Sequence, residues 1–262
     1  MGSLRSQNVA LFAISYDPVS ALAEFADRNG IEYPLLADEG SRVIRSLGML
    51  DEDLEAHHAQ FGGQVRDEQR GVCYPGVFFL DERGIVTERR FQRNYRVRES
   101  GASLLSAVLD NAHRETSAPS IGDSSPVRIS VRTDSPTYWR YQRFRVIVDL
   151  AIAPGAHIIA PGSPADYIPL SVEVTGDGAV VGETEAPEPV AFTLEELKEA
   201  LRVYEGALQV AVPFEFVIER GEPMGDRMIG VRVRYQACTE TTCYPPSEAA
   251  FELRVSPRPD PA

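Results

Sequence analysis

A series of period-two alternations in the second half of the chain constrains its fold more than any other feature. Leu208, Val210, Val212, Phe214, Phe216 and Ile218 fall at every other position, as do Phe144, Val146, Val148, Leu150 and Ile152. Successive side chains of a strand point to opposite faces, so each of these stretches reads as a strand with one buried face. The pattern returns at Ile168, Leu170, Val172 and Val174, at Ile229, Val231, Val233 and Tyr235, and at Phe251, Leu253 and Val255. Half-buried strands separated by Gly and Pro turns predict an all-β two-sheet sandwich over residues 127–255. Pro213 lies on the outward side of its strand, which predicts a sheet edge there. Thr193 and Glu196 have capping-box spacing ahead of Leu197 and Leu201, which predicts one short helix over 194–201. Residues 256–262, SPRPDPA, read as a frayed tail.

Residues 1–113 mix two periods. An apolar run at 9–15 suits a buried parallel strand, and Asp17-Pro18 reads as the N-cap and first residue of a helix whose face carries Leu22, Phe25 and Ala26. Asn29-Gly30 stops that helix. A strand follows at 33–37, then a helix at 42–47 with Val43, Ile44 and Leu47 on its apolar face. Strands at 77–80 and 85–91 flank the turn Asp81-Glu82-Arg83-Gly84, and a last helix carries Leu104, Leu105, Val108 and Leu109. Strand, helix, strand, helix, hairpin, helix is an α/β layer order. Between the halves, residues 114–126 (RETSAPSIGDSSP complete it) have the Ser, Pro, Gly and Asp content of an exposed linker.

Composition removes several classes of function. With 26 basic and 39 acidic residues the formal net charge is −13, the wrong sign for a protein that tracks nucleic-acid phosphates. Mean hydropathy is −0.20 and no apolar run is long enough for a membrane span. The amino-terminal residues MGSLRSQNVALFAIS lack the charge, length and cleavage pattern of a secretory signal, so the cytoplasm is the expected compartment. Met1-Gly2 with Ser6 fits a myristoylation pattern and is set aside as a chance match.

The segments NVALFAISYDPVSALAEFADRNGIEYPLLAD and GVCYPGVFFLDERGIV resemble the peroxiredoxin-like AhpC/TSA branch of the thioredoxin fold, over residues 8–110. That resemblance implies an α/β thioredoxin-like domain, here truncated, with a cis-proline at Pro75 beside the active site, and antioxidant redox chemistry. It also exposes a departure. In the family the redox cysteine precedes the segment aligned with residues 9–15, whereas only eight residues precede Val9 here and none is cysteine. No Thr-x-x-Cys or Cys-x-x-Cys occurs, so peroxidase activity is not expected of this chain. Cys73, two residues before Pro75, reads either as a remnant of the thioredoxin-fold site or as a small buried apolar residue.

The segment Arg234-Tyr235-Gln236-Ala237-Cys238-Thr-Glu-Thr-Thr-Cys243-Tyr244-Pro245-Pro246, with APGAHIIAPGSP and VPFEF upstream, resembles the amino-terminal, immunoglobulin-like domain of the bacterial thiol:disulfide interchange protein DsbD. The resemblance implies a redox pair, Cys238 and Cys243, that passes electrons to a dithiol protein, either thioredoxin-like or a membrane thiol reductase, with no organic cofactor. Because that domain works in the periplasm, a periplasmic location is the alternative if the amino terminus is incomplete.

The residues support the same pair independently, since Cys238 ends a strand and a four-residue turn can return Cys243 to within disulfide reach. Closing so small a loop stabilises by only about 2 kcal/mol, which favours an exchangeable bond over a staple. A non-enzymatic interaction module with a structural disulfide remains the alternative. Two cysteines without neighbouring histidines do not make a zinc site. His57-His58 read as surface loop residues without a role, Asp51, Glu52, Asp53 and Glu55 as a solvated acidic run, and Arg89, Arg90, Arg93, Arg96 and Arg98 as ion-pairing groups. Tyr138, Trp139 and Tyr141 read as core packing.

Overall fold

The computed structural model describes residues 4, 8–59, 63–94, 96–108, 125–194, 199–219 and 221–258. Contacts divide the chain into two compact units, Met1–Arg98 and Glu99–Ala262.

In the first unit β1 (Ala13–Ser15) pairs in parallel with β2 (Leu35–Ala37), joined by α1 (Val19–Asn29). Gly30 ends α1 at φ 59°, the left-handed cap its sequence announces. The strands are shorter than expected: Leu11 and Phe12 precede the pairing and are exposed, as is Phe25 on α1. Next, α2 (Arg42–Ser46) starts where the Asp38 carboxylate accepts the Val43 and Ile44 N–H groups at 3.2 and 2.9 Å. Then α3 (Leu54–Ala59) places His57 and His58 on a helix, not on the loop their polar surroundings indicate. A 3₁₀ turn (Asp67–Gln69) precedes the antiparallel hairpin of β3 (Gly76–Leu80) and β4 (Val86–Phe91). Asp81 shapes its turn by accepting the Arg83 and Ile85 N–H groups, both at 2.9 Å. The expectation of a cis-proline fails: Pro75 is trans, the isomer favoured by about 0.5–1 kcal/mol. The trans chain still enters β3 with its polar groups bonded, the Tyr74 N–H donating to Met49 and the Pro75 carbonyl accepting from Gln92.

The second unit begins within β5 (Arg98–Glu99) and includes α4 (Gly101–Val108), which the sequence grouped with the first domain. Of the expected linker, only Ser125 and Pro126 are among the described residues. There follow β6 (Val127–Thr133), β7 (Thr137–Tyr138), β8 (Gln142–Ile152), β9 (Ala156–Ile159), β10 (Ser171–Gly176), β11 (Ala179–Val181), β12 (Val190–Leu194), β13 (Glu199–Tyr204), β14 (Ala207–Phe216), β15 (Arg227–Tyr235), β16 (Ala237–Thr239) and β17 (Ser247–Pro257). One sheet has the order β10-β15-β17-β7, a second β11-β14-β8-β5 with β6 also on β8, and a third β12-β13-β9-β16. The first two meet through their alternating apolar faces, where Phe144, Phe214 and Phe216 lie 5.0–6.3 Å apart by ring centroid and are at most 1% exposed. This is the sandwich the alternation predicts.

Two local expectations are overturned. Residues 199–201 belong to β13, not to a helix, and Thr193 lies in β12; residues 195–198 fall outside those described. Leu201 and Val203 point to one face of β13 and are fully buried there, because β13 pairs with β9 through Val203↔Ile159. That burial outweighs the local capping signal. Pro213 is not on an edge strand either, since β14 runs between β8 and β11. It is tolerated because β11 runs out opposite Phe214, so no ladder donor is demanded of residue 213.

Candidate functional site

At the end of β15 the chain turns at Gln236 and enters β16, the edge strand of the third sheet, which pairs with β9 through Cys238↔His157. Beyond β16 the chain folds back on itself. The Thr239 N–H donates to Thr242 at 2.8 Å, the Tyr244 N–H donates to Ala237 at 2.8 Å, and the Thr239 hydroxyl accepts the Thr242 N–H at 3.1 Å. This doubling sets Cys238 opposite Cys243, their Cα atoms 4.0 Å apart and their sulfurs bonded. The two sulfurs differ in surroundings. Cys238 is fully buried with Ile159, Leu201 and Val203, against which Tyr167 and Phe192 pack. Cys243 is exposed, as are Glu240, Tyr244, Pro245 and Pro246 around it.

Sequence reasoning missed His157. It is 3% exposed, its ring centroid lies 4.4 Å from that of Phe192 on β12, and its Nε2 is buried without a hydrogen-bond partner. Burial pushes its pKa below the ordinary histidine value, against an upward pull from the Glu205 carboxylate. The available signal was a lone polar residue in the run Ala156-His157-Ile158-Ile159, bounded on both sides by Pro-Gly pairs.

Cys73 lies in the first unit and is unbridged. It pairs with Leu50 in an isolated antiparallel bridge and lines a cavity of ≈ 470 Å³ with Tyr16, Asp51, His57 and Arg96. Burial pushes the Cys73 thiol up, opposed by a backbone hydrogen bond and by Arg98. His57 Nδ1 is 3.0 Å from the buried Asp51 carboxylate. The neighbouring Tyr74 hydroxyl is pushed up to about 12 by burial and by Asp51. A desolvated thiol beside these groups is a poor nucleophile at neutral pH. Pro75, two residues after Cys73 in the chain, lacks the backbone geometry expected of it.

Among the described residues no helix is long and apolar enough to cross a membrane, and no group of three or more His, Cys, Asp or Glu residues could hold a metal ion.

Residues 1–89 match the AhpC/TSA family, and residues 127–254 match the family described as thiol:disulfide interchange protein DsbD, N-terminal. No curated protein matches the chain. Among solved structures, the Neisseria meningitidis DsbD N-terminal domain in its reduced form is 21% identical, with 43% of this chain and 82% of that one covered and a TM-score of 0.29. The N-terminal periplasmic domain of ScsB from Proteus mirabilis is 12% identical, with 54% and 51% covered and a TM-score of 0.37. The family matches, the α/β unit and the β-sandwich with its bridged cysteines agree: the chain joins an AhpC/TSA-like region to a DsbD N-terminal-like region, both of thiol–disulfide redox families.

Proposed function

We propose that this protein exchanges electrons with a dithiol protein through Cys238 and Cys243. The observation that carries the reading is the asymmetry of the bridge, with Cys243 open to solvent and Cys238 fully buried. An incoming thiolate reaches the Cys243 sulfur and forms a mixed disulfide there. The Cys238–Cys243 bond breaks, and Cys238 leaves with the electron pair. The partner's second thiol then releases the reduced pair, and the same steps in reverse oxidise it. The small stabilisation from so short a loop, about 2 kcal/mol, favours exchange over a purely structural role. Similarity of residues 127–254 to an interchange-protein domain supports a thioredoxin-like or membrane-reductase partner. Cys73 takes no part in this cycle.

The test equilibrates the bridged full-length chain with a thioredoxin-type dithiol protein at graded ratios, then alkylates the thiols and weighs the products. The bridge should open and close within minutes and report a potential above about −300 mV. A bridge that fails to equilibrate, or lies below that value, would leave the pair a structural disulfide in an interaction module.

A further inference from the structure

We infer that His157 is the general acid–base for the Cys238 sulfur, in a row Glu205–His157–Cys238–Cys243 that crosses the third sheet. The inference rests on the exchange reading above and supplies what that reading leaves open, the route of the proton. Cys238↔His157 and Cys238↔Cys243 are direct cross-strand pairs, so all three side chains share one face. Directly opposed residues carry Cβ atoms about 4.5–5.5 Å apart, within reach of an imidazole nitrogen and a sulfur. The register Val203↔Ile159, Tyr204↔Ile158 ends with β13, and Glu205 is the next residue, one step beyond the Tyr204↔Ile158 pair, as His157 is along β9. The carboxylate acts on the imidazole electrostatically.

A buried thiolate among Ile159, Leu201 and Val203 is costly, because nothing apolar solvates its charge. The unpartnered His157 Nε2 on the same face is an available proton site. A buried polar atom without a partner is unfavourable in itself, and a role in proton transfer accounts for its being kept. Among the described residues Glu205 is the charged group that bears on His157; Phe192, Ile159 and Val203 are apolar, and Tyr167 and the two cysteines are titratable groups that share this cluster.

In the oxidising direction the Cys243 thiolate has attacked a partner disulfide, leaving a Cys243–partner mixed disulfide. The neutral His157 imidazole takes the Cys238 thiol proton, and the Cys238 thiolate attacks the Cys243 sulfur. The Cys243–partner bond breaks, the partner sulfur leaves with the electron pair, and the proton passes from the imidazolium to that thiolate by way of solvent. The pair loses two electrons and the partner disulfide gains them. The reducing direction is the reverse, with the imidazolium protonating Cys238 as it leaves. Glu205, by stabilising the imidazolium, is a positioning residue.

The reduced full-length chain is mixed with oxidised glutathione and acid-quenched over time. Mass spectrometry then separates the Cys243–glutathione adduct from the closed bridge. His157→Phe, which keeps an aromatic ring against Phe192, should close the bridge more slowly at neutral pH by about tenfold or more, so that the adduct accumulates; the deficit should fade at alkaline pH. Glu205→Gln, at an exposed position, should move the pH midpoint of closure downward, since the carboxylate holds the imidazole's pKa up. Closure rates and pH profiles in both variants equal to the parent's would overturn the role of His157 and leave exchange intact. If His157→Phe does not fold, an unmoved midpoint in Glu205→Gln overturns it alone. A parent pair that never reacts with glutathione overturns both readings.

Discussion

Arg145 is buried on the face of β8 that looks away from Phe144, Val146 and Val148, and each nitrogen of its guanidinium is engaged. It lies 3.1 Å from Glu99, 3.1 Å from Glu185 and 3.1 Å from the Ser103 hydroxyl, with its side chain 9% exposed. Arg145→Ala should therefore destabilise the sandwich by up to about 3–5 kcal/mol in chemical denaturation, because it removes the cation that faces the buried Glu99 carboxylate. An unchanged midpoint would mean that Glu99 is satisfied without it. Asp38 acts through the backbone: the N–H groups of α2 hold its carboxyl below the ordinary value, that of Ile44 most strongly. A depressed folded-state pKa gives stability that is complete above the unfolded value of about 3.9 and is lost as pH falls through the folded one. Asp38→Asn should accordingly lower the stability of the first unit at pH 7, with the deficit shrinking as pH falls below the unfolded value of about 3.9, as measured by denaturation across that range. Neither role was legible in the sequence, because a single buried polar side chain in an apolar run is identified only by the partners that folding brings to it.

The alternating strands were legible element by element, since each carries its own period and the core needs nothing beyond that period to form. β12 and β13 were not. The Thr193-to-Glu196 capping signal is local, whereas the pairing that decides the segment joins Val203 to Ile159, 44 positions earlier in the sequence. The site was half legible for the same reason: the cysteine spacing is local and was read, while His157 reaches Cys238 from a strand about 80 residues away. Leu201→Ala should cost about 2–5 kcal/mol and make the reduced Cys238 reactive to alkylating reagents, because Leu201 is 1% exposed and packs beside that sulfur. Full protection of Cys238 in that variant would show that other residues seal the cluster. Gly176→Ala in β10 tests packing between the sheets: its Cβ would stand 2.7 Å from the Phe214 ring, which is fully buried and cannot retreat. Overpacking of this kind costs about 1–3 kcal/mol, read as a lower unfolding midpoint.

Over the whole molecule the net charge of −13 acts on whatever approaches the bridge, with Glu240 adding to it locally. A cationic disulfide such as cystamine should react with the reduced pair faster than anionic oxidised glutathione, and the ratio should shrink as ionic strength rises from about 0.01 to 1 M. Equal rates at low salt would show that the field at Cys243 is not that of the molecule. The doubled-back segment after β16 has a further consequence, for self-association. An edge strand invites another chain to add to its open row of amides. Here the row is already occupied, by Thr239 to Thr242 and by Tyr244 to Ala237, and the two residues that follow are prolines with no N–H to offer. Stacking of one molecule's sheet onto the next, the first step toward a fibril, is therefore blocked at the very edge that carries the Cys238–Cys243 bridge.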